Sequence, residues 1–307
     1  MRALTIDGIK ARYRLEYNAT KAAQDWVKVA RRVSSNQPDG EKYNGAQGVY
    51  GPSEKKGEEI AYTIPSEGFT IRNRRWDGGI RIPGLDWRWN KTGETDFKLR
   101  QLAQLMAIHP GALLETLITA GKSTTAADGV YYFSASHPVA ATTHSNLLSG
   151  GALDVSTPTK PTSAEWADLL IEMATYMLLF KDSAGNLVNM GISDFSVAVP
   201  SGLYPSLIVA LGSQNLASGA SNPLKAISKF SFNPILLPTW TETDELILIA
   251  NNQSGVVYQE LEAPDNLITL GPGTEYYQEH DEVKAIARGV YNCGFDRWQA
   301  MAHGTLS

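Results

Sequence analysis

Residues 46–90 cannot build a core of their own, and this limits what the whole chain can become. The stretch is rich in glycine and charge, with strand-like pieces at residues 59–64, 69–76 and 79–82. A two-stranded ribbon alone in water is marginally stable at best. It has to lie on something, either the chain's own body or another copy. Arg72, Arg74 and Arg75 crowd one piece, and Arg72 and Arg74, two apart, share one face of a strand. Arg81 and Arg88 follow, and Trp76, Trp87 and Trp89 place three of the seven tryptophans here.

Charge is divided unevenly around this ribbon. Residues 1–100 carry 19 Lys+Arg and 13 Asp+Glu, a net of +6, whereas residues 101–307 carry 8 and 19, a net of −11, giving −5 for the chain. Such asymmetry points to nucleic acid on the basic part, or to a basic arm on the acidic body of another copy. The arm itself reads as a helix. Ile6, Ile9, Tyr13, Tyr17, Trp26, Val27 and Ala30 recur at three- and four-residue steps, with Lys10, Arg12, Arg14, Lys21, Lys28, Arg31 and Arg32 on the polar side. Pro38, Asp39 and Gly40 then break the pattern.

The 307 residues hold about two domains' worth of chain. Residues 94–120 read as the strongest helix, with Phe97, Leu102, Leu105 and Met106 on one face, a kink or two abutting helices at Pro110, and Gly121 as its C-terminal cap. A short aromatic strand is expected at residues 130–133 and an exposed loop over 139–162. Ser163 caps a helix to Phe180 that buries Trp166, Leu169, Leu170, Met173 and Met177. Further expectations are a hairpin at Gly185-Asn186, strands at 195–199, 235–237, 246–249, 256–261 and 267–270, a helix at 203–211, and a long strand run from Val283 to Met301.

Catalytic and ligand motifs fail one by one. Gly121-Lys122-Ser123 would need glycine five residues before Gly121, where Thr116 stands inside a helical pattern. No Gly-x-Ser-x-Gly elbow, Gly-x-Gly-x-x-Gly loop or His-Glu-x-x-His pair occurs. His137 and His144 lack carboxylate help nearby, so no metal is expected, and no cofactor either. Cys293, the single cysteine, reads as a small buried hydrophobe and excludes an intramolecular disulfide. Glu275, Glu279, Asp281 and Glu282 are neighbours in one hydrophilic turn, a solvated or subunit-facing surface. With no signal-peptide pattern and no apolar run near the roughly 20 residues of a membrane helix, a soluble chain made in the cytoplasm, without membrane, is expected.

The order of parts carries the positive reading. A basic helical arm, a charged ribbon, a long helix, a loop, a central α/β body and terminal long strands resemble the Hong Kong 97 capsid fold. Asp128-Gly129 with Tyr132-Phe133 and His137-Pro138, then Val197-Ala198-Val199-Pro200 before a helix, then Gly289-Val290-Tyr291 through Gly294-Phe295 to Trp298-Gln299-Ala300-Met301-Ala302 resemble the Mu-like phage major head proteins. The resemblance implies an α+β, HK97-like phage capsid fold. It implies an N-terminal arm (1–45), an extended loop (46–90), a peripheral domain with a spine helix (91–160), an axial domain (161–254) and a return to the peripheral domain (255–307). Hexamers and pentamers would enclose double-stranded DNA in a virion assembled in the host cytoplasm, with portal, scaffolding and decoration proteins as further partners. Because the numbered chain opens on Met1, scaffolding is expected to be a separate protein.

On that reading Arg72, Arg74, Arg75, Trp76, Arg81, Trp87 and Arg88 meet a neighbouring subunit, as arginine and tryptophan do in interfaces. The basic residues from Lys10 to Arg32 face packaged DNA or a neighbour. Some relatives join a loop lysine to a neighbour's asparagine. Lys55, Lys56 and Asn292 stand in comparable places, but no carboxylate is identified to assist, so no cross-link is expected. An encapsulin-type nanocompartment shell shares the fold, a hydrolase with a dispersed active site is the reading from another class, and a tail-tube or decoration protein fits the long helix poorly.

Overall fold

The computed structural model describes residues 5–43, 68–89, 91–139, 142–182, 184–226, 229–251 and 253–307. Helix α1 (Ile6–Ala22) starts at Thr5, whose hydroxyl accepts the Gly8 N–H at 3.1 Å. It buries Ile9, Tyr13 and Tyr17, one side chain per turn. The expected continuation to Arg32 does not occur. After a single turn, α2 (Trp26–Val29), the chain becomes strand β1 (Ala30–Ser34). Apolar steps alone could not separate these, because Ala30 and Val33 fit either period; pairing with a distant strand decides.

Strands β2 (Glu41–Tyr43) and β3 (Phe69–Ile71) pair antiparallel, Tyr43 opposite Phe69. Gly40 makes the approach to β2 at φ +116, where a Cβ would stand 2.1 Å from the Ile71 carbonyl oxygen. The strand expected at 59–64 lies outside the described residues. Strand β4 (Arg74–Pro83) is continuous through Gly78 and Gly79, and it leads into α3 (Gly84–Arg88) and the 28-residue α4 (Thr92–Thr119). Gly78 lets that helix come close, since a Cβ would meet the Met106 sulfur at 3.0 Å.

Helix α4 runs about 42 Å at 1.5 Å per residue. Pro110 sits inside it without ending it; burial of Met106 and Ala107 before, and Leu114 and Ile118 after, holds the helix across the lost hydrogen bond. Its expected face is also split. Leu102 and Met106 are buried, but Phe97 and Leu105 point outward, 57% and 67% exposed. By length and composition α4 could cross a bilayer, yet its buried stripe is packed into the core of the fold. Gly121 is no left-handed cap: it lies in a 3-10 turn, and a Cβ there would press to 2.5 Å on the Phe133 ring.

Tyr131 to Phe133 form no strand beyond a single bridge from Tyr131 to Thr125. Tyr132 and Phe133 are plugs. The Tyr132 ring stacks on Phe295 at 3.8 Å, and its hydroxyl reaches the carbonyls of Gly255 and Arg297 at 3.0 Å. The expected loop after them is ordered into β5 (His137–Val139), β6 (Thr142–His144) and β7 (Leu147–Ser149), with Leu153 and Val155 buried. Helix α5 (Ser163–Met177) is capped by Thr162, one residue before the expected cap, in a reciprocal box with Glu165. Partial burial would raise the Glu165 carboxyl, but N–H groups of Ser156 and Thr162 hold it down at about 2.

Next come β8 (Asp194–Pro200), α6 (Tyr204–Gly212), α7 (Pro223–Ala226), β9 (Ser231–Leu237) and β10 (Glu245–Ala250). Then follow β11 (Val256–Glu262), β12 (Leu267–Leu270), α8 (Glu275–His280), β13 (Glu282–Phe295) and β14 (Met301–Thr305). One five-stranded sheet has the order β7-β14-β10-β8-β9. Its central strands β8 and β10 are buried almost throughout, as expected of a sheet covered on both faces. The other sheet runs β1-β11-β13-β12, with β4 on the free side of β13. Along β13 burial alternates with period two, and Ala285 and Ala287 lie beneath α1 and α4 together with Tyr13, Leu99 and Ala103.

Candidate inter-subunit surface

The ribbon's root sits on the sheet face opposite α1. Tyr43, Ile71 and Val257 form a small core there, and the buried Gln259 side chain ties them together. It accepts from the Tyr43 hydroxyl at 2.8 Å and donates to the Ile71 carbonyl at 3.1 Å. From this root β4 carries an exposed row, Arg75, Asp77 and Arg81, while Trp76 turns inward. Trp76 donates to the Tyr291 carbonyl at 3.0 Å and packs on His109 at 4.4 Å, so it is partly buried against the core of its own chain.

Three of the expected contact arginines have carboxylate partners in the same chain. Arg75 meets Asp77 at 3.0 Å, Arg81 meets Glu282 at 3.9 Å, and Arg88 grips both oxygens of Asp281 at 2.7 and 2.9 Å. Burial works against ionisation of Asp77, but hydrogen bonds from Arg75 and Arg288 hold its carboxyl below the usual range. Asp281 has a left-handed φ of 47 and accepts the Gly84 N–H at 2.7 Å, which fastens α3 to the turn before β13. Arg72 and Arg74 have no carboxylate partner among the described residues. Trp87 is half-buried beside the α1–α4 core, and Trp89 and Leu85 are exposed.

The basic arm is held by its own body. Arg12 pairs with Asp96 of α4, Lys21 and Arg32 reach Glu260 at 3.3 and 3.6 Å, and Arg31 reaches Asp296 at 3.6 Å. Arg14 bonds the Asn266 amide oxygen. Each partly exposed pair contributes about 0–1 kcal/mol, so their joint effect is mainly to fix the arm's position. Lys10 is exposed with no carboxylate partner among the described residues; the Lys28 side chain, Lys55 and Lys56 lie outside them. Asn292 on β13 donates to the Arg72 carbonyl at 2.8 Å.

Two histidines that sequence spacing left idle are buried and engaged. His137 is stacked on Trp298 at 4.1 Å, with Nδ1 2.5 Å from Asp128 and Nε2 facing the Tyr132 carbonyl and the Asn146 amide oxygen. His303 Nε2 lies 3.1 Å from Glu245, which also takes Lys122 of the Gly-Lys-Ser triplet. Burial lowers His303, whose buried Nδ1 has no partner among the described residues. Burial works against Glu245, but hydrogen bonds from His303 and Lys122 bring it below its usual value. His109 and His144 are also lowered, first by burial.

These shifts share a sign. On acidification from the unfolded histidine value of 6.5, and then from 4.5 for Glu245, the unfolded chain takes up protons that the folded chain resists. Stability is therefore full above pH 6.5 and falls below it. Thermal midpoints measured from pH 8 to 5 should be level at first and then decline, and His303→Gln should shallow that decline; a flat profile down to pH 5 would contradict this. Cys293 is pushed up to about 12 by burial, which fits a packing role. Among the described residues no group of three or more His, Cys, Asp or Glu could hold a metal.

The partners Asp77, Arg288, Asp96 and Glu260 escaped sequence reasoning, as did the pairing of Asp281 with Arg88 and a third outward apolar residue of α4, Ile108, in line with Phe97 and Leu105. The 97, 105, 108 spacing was the available signal for that stripe.

A sequence-family model described as the Mu-like prophage major head subunit gpT matches residues 4–161. The Mu-like prophage FluMu major head subunit of Haemophilus influenzae is 27% identical over 121 residues, which span 39% of this chain and 39% of that protein. Among solved structures, a chain of the bacteriophage JBD30 procapsid is similar at a TM-score of 0.57 and 16% identity, over 98% of this chain and 75% of that one. A chain of the cyanophage P-SCSP1u capsid is similar at a TM-score of 0.56 and 11% identity, over 93% of this chain and 88% of that one.

Proposed function

The chain belongs to the family of the Mu-like prophage major head subunit gpT and has the HK97-like capsid fold, and on that premise we propose that it is a major capsid protein that assembles into the shell of a phage head. The observation that carries the reading is apolar surface left open on rigid elements. Phe97, Leu105 and Ile108 line the outside of α4, and Leu85 and Trp89 stand exposed at α3. An apolar row of this kind marks a protein–protein contact.

The fold supports the following layout: arm 1–45, extended loop 46–90, peripheral domain 91–160 with α4 as its spine, axial domain 161–254 around β8 and β10, and a peripheral return over 255–307. The extended loop of one subunit lies on a neighbour, with Arg72 and Arg74, which have no carboxylate partner among the described residues, reaching acidic surface there. Arg75, Arg81 and Arg88 keep their own carboxylates and contribute through rows of alternating charge, which set register more than strength. Trp76 and Trp87 support that row from beneath. Copies form hexamers and pentamers in a virion built in the host cytoplasm and filled with double-stranded DNA, with portal, scaffolding and decoration proteins joining from outside the chain. The arm's ion pairs assign it first to its own body, leaving Lys10 for DNA or a neighbour.

Size-exclusion chromatography with negative-stain microscopy of the purified chain should show closed particles. A species of one or two 33.4 kDa chains at every salt concentration would overturn the proposal. Nucleic acid inside the particles separates a phage head from an enzyme-filled compartment.

A further inference from the structure

Two features of the described surface are complementary but cannot meet within one molecule. The first is a groove of about 350 Å³ lined by Trp26, Val29, Ile108, Ala112, Glu115 and Leu236, among others. Glu115 is buried, and its Oε1 accepts the Thr239 N–H at 2.7 Å. Its second oxygen has no partner among the described residues. The indole N–H of Trp26, on the same wall, is buried and equally unpartnered. The groove is thus an apolar trough in which Glu115 offers a carboxylate oxygen, with Asp25 also on its lining.

The second feature is a knob. Beyond α5 the chain forms a bridge between Lys181 and Leu187, closed by a turn in which Asp182 accepts the Ala184 and Asn186 N–H groups at 2.9 Å. Around it Leu179, Leu187 and Met190 are 57%, 41% and 77% exposed. Lys181 stands among them, exposed, with no carboxylate within ion-pair reach among the described residues. Apolar side chains around this ammonium match an apolar trough of acidic lining in which Glu115 offers a carboxylate oxygen.

The sheet keeps the two apart. Met173 of α5 lies over Gly304 and Leu246, so α5 covers the face of the β7-β14-β10-β8-β9 sheet that Leu246 and Leu248 share. The groove reaches the other face, where Ala198 and Ile249 point. The knob follows α5 directly and belongs to its side. A contact between knob and groove therefore joins different surfaces of two copies. Such a head-to-tail contact leaves a free knob and a free groove at its ends, which only a ring removes.

We propose that the turn bearing Leu179, Lys181, Leu187 and Met190 of one copy seats in the groove of the next, with Lys181 reaching Glu115. The inference rests on the shell reading above and adds to it a contact between adjacent copies around a ring. Lys181→Glu with Met190→Asp, both at exposed positions, should leave the thermal midpoint of the unassembled chain unchanged and reduce particle yield at least tenfold. A double variant, Met190→Cys with Leu236→Cys, should give a ladder of covalent multimers on mild oxidation of assembled particles, whereas either single variant stays monomeric on a denaturing gel. Particles of the charge variant at wild-type yield, or intact particles of the cysteine variant that yield monomer only, would overturn the contact and leave the shell reading standing. A wild-type chain that never assembles would defeat both.

Discussion

His137→Ala should destabilise the folded chain by about 3–5 kcal/mol, the scale for truncating a large, fully buried ring and stranding its hydrogen-bond partners, and lower its thermal midpoint by on the order of 10 °C. The ring is fully buried, stacked on Trp298 and held 2.5 Å from Asp128. Its other nitrogen faces two oxygens with no hydrogen to give, the Tyr132 carbonyl and the Asn146 amide oxygen, so it donates. The amide orientation is fixed independently, because Asn146 Nδ2 donates to the carbonyls of Tyr132, Trp298 and Met301 and Oδ1 accepts the Ser134 N–H. Alanine would leave the Asp128 carboxylate without its partner, open a void beside Trp298 and release the turn at 128–137 from β14. His137→Gln, which retains a donor, should lose less. Urea or thermal unfolding of the unassembled chain measures this; an alanine variant within about 1 kcal/mol of wild type, the ordinary range of exposed sites, would refute the keystone role.

Removing the ribbon's tip should have the opposite profile, with little effect on the fold and a complete loss of shells. Tyr43 and Phe69 face each other across an antiparallel pair, so residues 44–68 can be replaced by Asn-Gly, a two-residue turn suited to such a pair. The small core of Tyr43, Ile71 and Val257 survives the change. The thermal midpoint of the unassembled chain should move by no more than about 2 °C, since the deletion touches no described core contact. Electron microscopy should find no closed particles if, as proposed, the extended loop is what reaches a neighbour. Normal particle yield from the shortened chain would remove the extended loop from the assembly mechanism.

The parts legible in sequence were those in which local period and burial agree. The β12 strand at Leu267–Leu270 follows from a short apolar, β-branched run between turn residues, and the buried face of α5 from 3.6-residue spacing. The misreadings share a different cause, side chains whose partners are far along the chain. Ala30 to Ser34 look helical until β11, more than 220 positions later, pairs with them. Tyr132 and Phe133 look like strand residues until Phe295 and His303 enclose them. The arm's basic residues invite a polyanion, yet Asp96, Glu260 and Asp296 are what they meet, and no spacing in a single sequence shows such pairs. The exposed ribbon arginines were legible as a set. Which of them keep partners at home was not.

The register between β4 and β13 has a mechanical consequence. Ten consecutive residue pairs, from Arg74 opposite Tyr291 to Pro83 opposite Glu282, join the strand that leaves the ribbon to the longest strand of the fold. Tension entering at Arg74 runs along that ladder, so its hydrogen bonds share the load in shear and none is opened singly from an end like a zipper. A pressurised container made of such subunits would hang each neighbour's grip on the strongest loading geometry that a β-sheet offers.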